Sequence, residues 1–99
     1  MFRGIRADRP YPPTGLTSAR WVEEVPVERV SISRLWLTQS QLSLEALLSP
    51  WTPTHCQDPL PHIVVHNDDW YLEDGHHRVI RGALNGGYAN EILARVFRH

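Results

Sequence analysis

The chain has 99 residues, of which 41% are hydrophobic and 21% are charged, and this predicts one globular domain with a modest core. Its formal net charge of −1 argues against a protein whose main task is to follow nucleic acid, because non-specific duplex binding needs several basic side chains on the phosphates. No apolar run approaches the roughly 20 residues that cross a bilayer, and no signal peptide is recognisable. These features predict a cytoplasmic protein without membrane contact.

Two residue types exclude further chemistry. Cys56 is the only cysteine, so no intramolecular disulfide can form. The ten basic residues are all arginine, which leaves no lysine to act as a Schiff-base former or as a P-loop phosphate ligand.

The first 24 residues show neither helical nor strand periodicity, and they contain several residues that break regular structure, namely Pro10, Pro12, Pro13 and Gly15. This predicts an extended arm over residues 1–24, ahead of a domain spanning residues 25–99. The arm carries a basic tip that is free to move or to contact a partner, consisting of Arg3, Arg6 and Arg9.

Alternating apolar residues predict a first strand near residues 26–32, followed by a connector through residues 35–37. Ser43 is a good N-cap for a short helix that Pro50 ends. The proline-dense stretch of residues 51–61 predicts a loop. Trp51 in that loop is a candidate for a protein interface, because tryptophan is enriched in binding hot spots.

Residues 62–66 and 70–73 predict a hairpin with a turn at residues 67–69, in which His62 and His66 are ordinary strand residues facing solvent. A helix follows with an apolar stripe from Val79 to Leu84, and it stops at the glycines after Asn85. Residues 92–97 fit a strand that returns to the sheet, with a helix as the alternative. Together these elements predict an α+β fold, a small mixed β-sheet with two or three helices.

Polar chemistry is concentrated at one strand-to-helix turn, Asp74-Gly75-His76-His77-Arg78. Helix N-termini leave N–H groups unpaired and carry partial positive charge, so phosphate is the expected guest at such a turn. The alternative is that Asp74 caps the helix while His77 and Arg78 are solvated. Cations in a first turn oppose the helix dipole by roughly 0.3 to 1 kcal/mol, and this disadvantage favours a binding role.

This turn and the elements around it, residues 59–83, resemble the core of the ParB/sulfiredoxin superfamily. The shared pattern is a proline-introduced strand, a turn, a second strand, a glycine-containing turn and a helix that starts with His-Arg or Arg-Arg. The resemblance is closest over residues 59–97 and weaker from Val25. It implies a ParB/sulfiredoxin-like core in a stand-alone ParB-like domain, a type often labelled a ParB-like nuclease.

The resemblance differs from one relative to the next. Gly75, His77 and Arg78 match the sulfiredoxin turn that holds ATP phosphates, but His76 stands where the nucleophilic cysteine would be. The ParB turn that grips CTP is matched only at Gly75 and Arg78, and its acidic residue is absent at position 76. Asp74, Gly75 and His76 match a free serine kinase of the superfamily, in which the aspartate is a candidate base.

These matches imply roles for single residues. Gly75, His77 and Arg78 would bind phosphate, and Asp74 and His76 are the catalytic candidates. Four residues are candidates for additional ligand contacts, Thr38, Gln39, Ser40 and Arg81, and helix capping is the alternative role for the first three. The identity of the ligand stays open, although a nucleotide with Mg²⁺ fits the site. No bound metal is expected, because adjacent imidazoles at a helix start point in different directions.

The leading hypothesis is a domain that binds a nucleotide or another phosphorylated ligand, including a nucleic-acid end, at Gly75–Arg78. Whether it is also an enzyme is left open. The alternative is a non-enzymatic protein-interaction effector, of the phage-borne kind that acts on a host or cognate protein, with a vestigial phosphate site. The missing glutamate or cysteine at position 76 supports this alternative. Nuclease activity is a third hypothesis, and it lacks a convincing metal site or base.

Overall fold

A computed structural model of the chain describes residues 2–39, 60–75, 79–80 and 91–99. Within these residues the chain forms one six-stranded sheet and one α-helix. The strands are β1 (Gly4–Ile5), β2 (Val27–Ser31), β3 (Leu35–Leu37), β4 (His62–His66), β5 (Asp69–Asp74) and β6 (Glu91–Arg98), and the helix is α1 (Ser18–Glu24). A single 3-10 turn, Ile32–Arg34, joins β2 to β3.

The strand order across the sheet is β1-β3-β5-β4-β6-β2. The β1–β3, β3–β5 and β4–β6 pairs are parallel, whereas β4–β5 and β2–β6 are antiparallel. The sheet is therefore mixed, and the predicted α+β class with a small mixed sheet is confirmed at this coarse level. The strand predicted near residues 26–32 is confirmed as β2.

The hairpin of β4 and β5 is confirmed, and its turn consists of Asn67 and Asp68. Both residues have positive φ, 51° and 64°. A two-residue turn with both central residues in the left-handed region matches the right-handed twist of the strands that it joins. Asparagine and aspartate tolerate this conformation better than other residues that have a Cβ, so the local sequence is sufficient to set this hairpin.

One face of the sheet, which we call the core face, carries the main hydrophobic core. Its fully buried members come from β3, β4, β5 and β6, and include Leu35, Ile63, Leu72 and Ala94. Val79, at the start of the helical pair Val79–Ile80, is also fully buried in this cluster. The remaining residues of the two helices predicted beyond position 40 lie outside the described residues.

The opposite face, which we call the N-terminal face, presents Trp36, Val64, Tyr71 and Phe97, because residues opposite one another in a ladder share a face. The segment of residues 3–25 crosses part of this face. The Trp21 ring stacks on the ring of His62 at 4.3 Å between centroids. Together with Val25 and Val64, Trp21 forms a second buried cluster.

The prediction of an N-terminal segment without regular structure is wrong at two places. Gly4–Ile5 pairs with β3 as a parallel strand, and Ser18–Glu24 is a helix whose N-cap Thr17 accepts a hydrogen bond from the Arg20 amide. Because α1 has seven residues and buries only Trp21, it lacks the repeated apolar spacing that reveals longer helices. The division of the chain at residue 24 stays a prediction.

Two further segments, residues 35–37 and the last apolar run, are strands. The predicted connector at Leu35–Leu37 is wrong, because it is the strand β3 between β1 and β5. Three residues are too few to show an alternating pattern. The last apolar run is a strand, β6, and this decides between the two alternatives. In the described part of the chain, no helix is long and apolar enough to cross a membrane.

Candidate functional site

The predicted phosphate turn begins where β5 ends, and two of its residues are described. The Asp74 carboxylate accepts a hydrogen bond from the Gly75 amide at 2.8 Å, and the Val79 amide donates to the Gly75 carbonyl at 2.9 Å. The Asp74 carboxylate thus binds the amide of the next residue, whereas a capping side chain accepts from an amide two or three residues further on, so capping of the helix by Asp74 stays a prediction. His76, His77, Arg78, Ser40 and Arg81 lie outside the described residues, so their predicted roles stay predictions.

Gly75 has a reason to be glycine that involves no ligand. Its φ is 94°, in the region that side chains with a Cβ rarely adopt. A Cβ added there would also lie 3.3 Å from Cα and Cβ of Pro61. The close approach of Gly75 and Pro61 therefore accounts for the glycine in the turn, which was one of the residues on which the phosphate hypothesis depended.

A polar cavity of about 300 Å³ lies beside this turn. Its lining brings together Gln39 and Asp74, which the sequence analysis had assigned to one site, along with Arg9, His62 and Glu73. Thr38 lies nearby, but it is buried and its hydroxyl donates to the Leu72 carbonyl at 2.7 Å. Thr38 therefore ties the end of β3 to β5, and ligand contact by Thr38 and Gln39 stays a prediction.

His62 does not face solvent, contrary to the prediction for this strand. It is buried, and Trp21 of α1 stacks on it with an interplanar angle of 5°. His66 is partly buried and packs edge-on against His99. Among the described residues, no group of three or more His, Cys, Asp or Glu side chains is arranged to hold a metal ion.

The basic tip of the N-terminal segment is not free. Arg3 and Arg6 form ion pairs with Asp69 at 3.4 and 3.1 Å, and Arg9 pairs with Glu73 at 3.3 Å. The Arg6 guanidinium also lies 3.9 Å from the centre of the Trp36 ring. The prediction that these arginines are free to move or to contact a partner is wrong, because each of them lies beside an acidic side chain of β5.

Tyr11 completes this attachment. Its hydroxyl is hydrogen-bonded to the Glu73 carboxylate, and its ring contacts that of Tyr71 at 4.9 Å between centroids. Burial raises the pKa of Tyr11 above its usual value, and the bond to Glu73 raises it further. The N-terminal segment is thus held on the sheet by both charge and ring packing.

At the other end of the N-terminal face, none of the described segments lies on the sheet. There Val27 and Leu93 are 45% and 53% exposed, and Arg29 lies directly opposite Leu93 in the β2–β6 ladder. In the described part of the chain Arg29 has no ion-pair partner. We call these three residues the open patch. No sequence motif marks this patch, although the two-residue period of a strand places Val27 and Arg29 on one face.

A groove of about 370 Å³ adjoins the open patch at the start of β2. Its apolar walls come from Leu16, Pro26, Val96 and Phe97, and Arg20, Glu24 and Arg98 contribute charge. We call it the edge groove. Exposed apolar residues beside an apolar groove are the ordinary composition of a protein-binding surface.

The whole chain, residues 1–99, matches the protein family described as antitoxin VapB-like. No curated protein and no solved structure matches it. The chain belongs to the VapB-like antitoxin family.

This finding corrects the sequence analysis. The predicted membership of the ParB/sulfiredoxin superfamily is wrong. The leading hypothesis of a nucleotide-binding domain and the nuclease label are therefore wrong as well. The resemblance rested on a hairpin followed by a glycine turn, and both have causes that involve no ligand: the turn at Asn67–Asp68 and the contact of Gly75 with Pro61. The alternative of a protein-interaction effector is closer to the family that was found.

Proposed function

We propose that this chain is an antitoxin that neutralises its cognate protein toxin by binding it directly in the cytoplasm. The observation that carries the proposal is the family match across all 99 residues. Neutralisation by binding requires a surface and no turnover, so the absence of cysteine or glutamate at position 76 costs such a protein nothing.

The open patch supports the proposal. Partner surfaces combine exposed apolar side chains with arginine and a surrounding polar rim. Val27, Leu93 and Arg29 supply this combination on neighbouring strands, and the edge groove extends it. The acidic and basic side chains at the opposite end of the same face form ion pairs with one another.

A genetic selection tests the proposal and supplies the partner. Fragments of the source genome are cloned in cells that either express or lack this chain, and fragments tolerated only in its presence are sequenced. We expect at least one protein-coding gene of this kind. Its product, made as an inactive variant, should co-elute with the chain on size-exclusion chromatography at a fixed ratio.

Two results would contradict the proposal. One is that no fragment depends on the chain for its tolerance. The other is that a fragment does depend on it but its product forms no complex with the chain, because the rescue would then act through some route other than binding. A variant with a disrupted core, Leu72→Asp, serves as the control that should not rescue.

A further inference from the structure

The strand β2 has a free edge in the described sheet. It lies last in the strand order and pairs only with β6. The Val96 amide donates to the Pro26 carbonyl at 3.0 Å, which makes Pro26 and Val96 a hydrogen-bonded pair of this antiparallel ladder. Because such pairs alternate with non-hydrogen-bonded ones, Glu28 and Val30 point their backbone groups at β6. The backbone N–H and C=O groups of Val27, Arg29 and Ser31 therefore point outward.

The side chains beside this edge differ between the two faces. On the core face, Val30 is buried and Glu28 is held by Arg98 through two hydrogen bonds, one of them 2.8 Å long. On the N-terminal face lies the open patch of Val27, Arg29 and Leu93. An added strand would therefore find its apolar and charged contacts on the N-terminal face, while the backbone groups of β2 supply the hydrogen bonds.

A second copy of this chain is a poor occupant of the edge. In a symmetric antiparallel pairing of two β2 strands, the residues whose backbone groups point outward must pair with one another. The two-fold axis therefore passes between the two copies of one and the same residue. Centring it on Val30 pairs only three residues of each strand, because β2 ends at Ser31. Centring it on Arg29 sets Arg29 against Arg29, and centring it on Glu28 sets Glu28 against Glu28. Like charges directly opposite one another destabilise a ladder, and a charged edge is a common device against self-pairing.

We infer that an extended segment of the cognate toxin adds to the sheet as a seventh strand along β2. The inference rests on the proposed function and names the surface that carries it. Apolar side chains of the segment lie on Val27 and Leu93, and an Asp or Glu carboxylate pairs with Arg29. An apolar side chain beyond the start of β2 fills the edge groove. Backbone pairing supplies affinity in such strand addition, and the side-chain contacts supply specificity.

The test uses the full-length chain and the inactive toxin recovered by the selection. Arg29→Pro removes one outward N–H and the charge while leaving the ladder to β6, since a proline is tolerated on the free side of an edge strand. Arg29→Ala removes the charge alone. Arg34→Glu is the control, because Arg34 is exposed beside Trp70 on the core face.

In calorimetric titration, Arg29→Pro should raise the Kd for the toxin roughly 100-fold and Arg29→Ala roughly 10-fold. Arg34→Glu should stay within about twofold of the parent. Amide hydrogen exchange of the parent complex gives a second readout that does not depend on how a variant folds. The amides of Val27, Arg29 and Ser31 should exchange freely in the chain alone and become protected in the complex.

The outcomes separate this inference from the proposed function. If the toxin is bound and neutralised while those three amides exchange as before and Arg29→Pro binds as tightly as the parent, the inference is wrong and the proposed function stands. If the chain alone is a dimer with these amides protected, a second copy covers β2 and the inference is also wrong. If the chain binds no toxin, both fail.

Discussion

The N-terminal face of the sheet is used in opposite ways at its two ends. At the covered end, β3 and β5 carry aromatic and acidic side chains, and the N-terminal segment places arginines and rings on them. At the open end, β2 and β6 carry Val27, Arg29 and Leu93, and none of the described segments lies on these residues. Arginine beside apolar surface occurs at both ends. It stabilises the fold where it pairs with a carboxylate of the same chain, whereas Arg29 forms no such pair within the described residues.

The largest expected loss of stability comes from a substitution at the centre of the covered end. Trp21→Ala removes a side chain that is 5% exposed, together with its stacking on His62 and its contact with Phe97. We expect a loss of about 3 to 5 kcal/mol in the free energy of unfolding, because a large buried ring leaves a cavity. Urea unfolding followed by circular dichroism measures it.

Val22→Ala is the matched control, since Val22 is the next residue of α1 and is 45% exposed. It should change the free energy of unfolding by less than about 0.5 kcal/mol. Equal losses from the two variants would mean that α1 does not cover the sheet through Trp21.

A smaller effect is expected where the segment is attached by a hydrogen bond. Tyr11→Phe keeps the ring on Tyr71 and removes the hydroxyl that binds Glu73. We expect a loss of about 1 to 2 kcal/mol near neutral pH, because the acceptor is a partly buried carboxylate. A double-mutant cycle with Glu73→Gln should show that the two losses are not additive.

The pH dependence of the Tyr11 contribution has a definite sign. The folded pKa of Tyr11 is raised above its ordinary value of 10.0, first by burial and then by Glu73. The stabilisation is therefore complete below pH 10 and is lost as the pH rises through the folded pKa. The gap in stability between parent and Tyr11→Phe should narrow in alkaline buffer, and a gap that widened would contradict this assignment.

The next smaller loss of stability is expected in β2, the strand that also carries two residues of the open patch. Glu28 of β2 binds Arg98, which lowers the pKa of the Glu28 carboxyl below its usual 4.5. Glu28→Gln should cost roughly 0.5 to 1 kcal/mol at neutral pH, as expected for a partly exposed ion pair. Because the folded pKa is lowered, this contribution is present above the unfolded pKa and disappears as the pH falls.

Urea unfolding of parent and Glu28→Gln, near neutral pH and again in acid, measures this difference. Glu23→Gln in α1 is the control, since Glu23 is exposed and makes no ion pair in the described part of the chain. A difference between parent and Glu28→Gln that persisted in acid would show that the glutamine disturbs β2 by some means other than charge.

The smallest effect on stability is expected at the open patch itself. Leu93→Ala should change the free energy of unfolding by less than about 0.5 kcal/mol, because Leu93 is 53% exposed. Its neighbour Ile92 is 2% exposed on the core face, so Ile92→Ala should cost about 2 to 5 kcal/mol. Leu93→Ala should nevertheless weaken toxin binding. A Leu93→Ala variant that bound the toxin normally would show that Leu93 is not part of the partner surface.

The sequence by itself determined the elements whose causes are local. The alternation near Val27 and Val30 gave β2, and two residues able to adopt positive φ at Asn67–Asp68 gave the β4–β5 hairpin. The glycine turn after Asp74 was also recognisable. Its meaning was not, because the contact of Gly75 with Pro61 joins residues that meet only when the hairpin has formed.

Only the tertiary structure decided which of the described side chains are held by contacts within the chain. Arg6 and Asp69 are 63 residues apart in the chain, and no periodicity in either segment indicates that they meet. The same holds for Trp21 and His62, whose stacking makes a seven-residue helix part of the core. Local patterns determine backbone conformation, whereas the availability of a side chain to a partner depends on contacts between distant segments. For this reason the sequence suggested that the arginines of the covered end are available to a partner, whereas the tertiary structure places Arg29 of the open patch in that position.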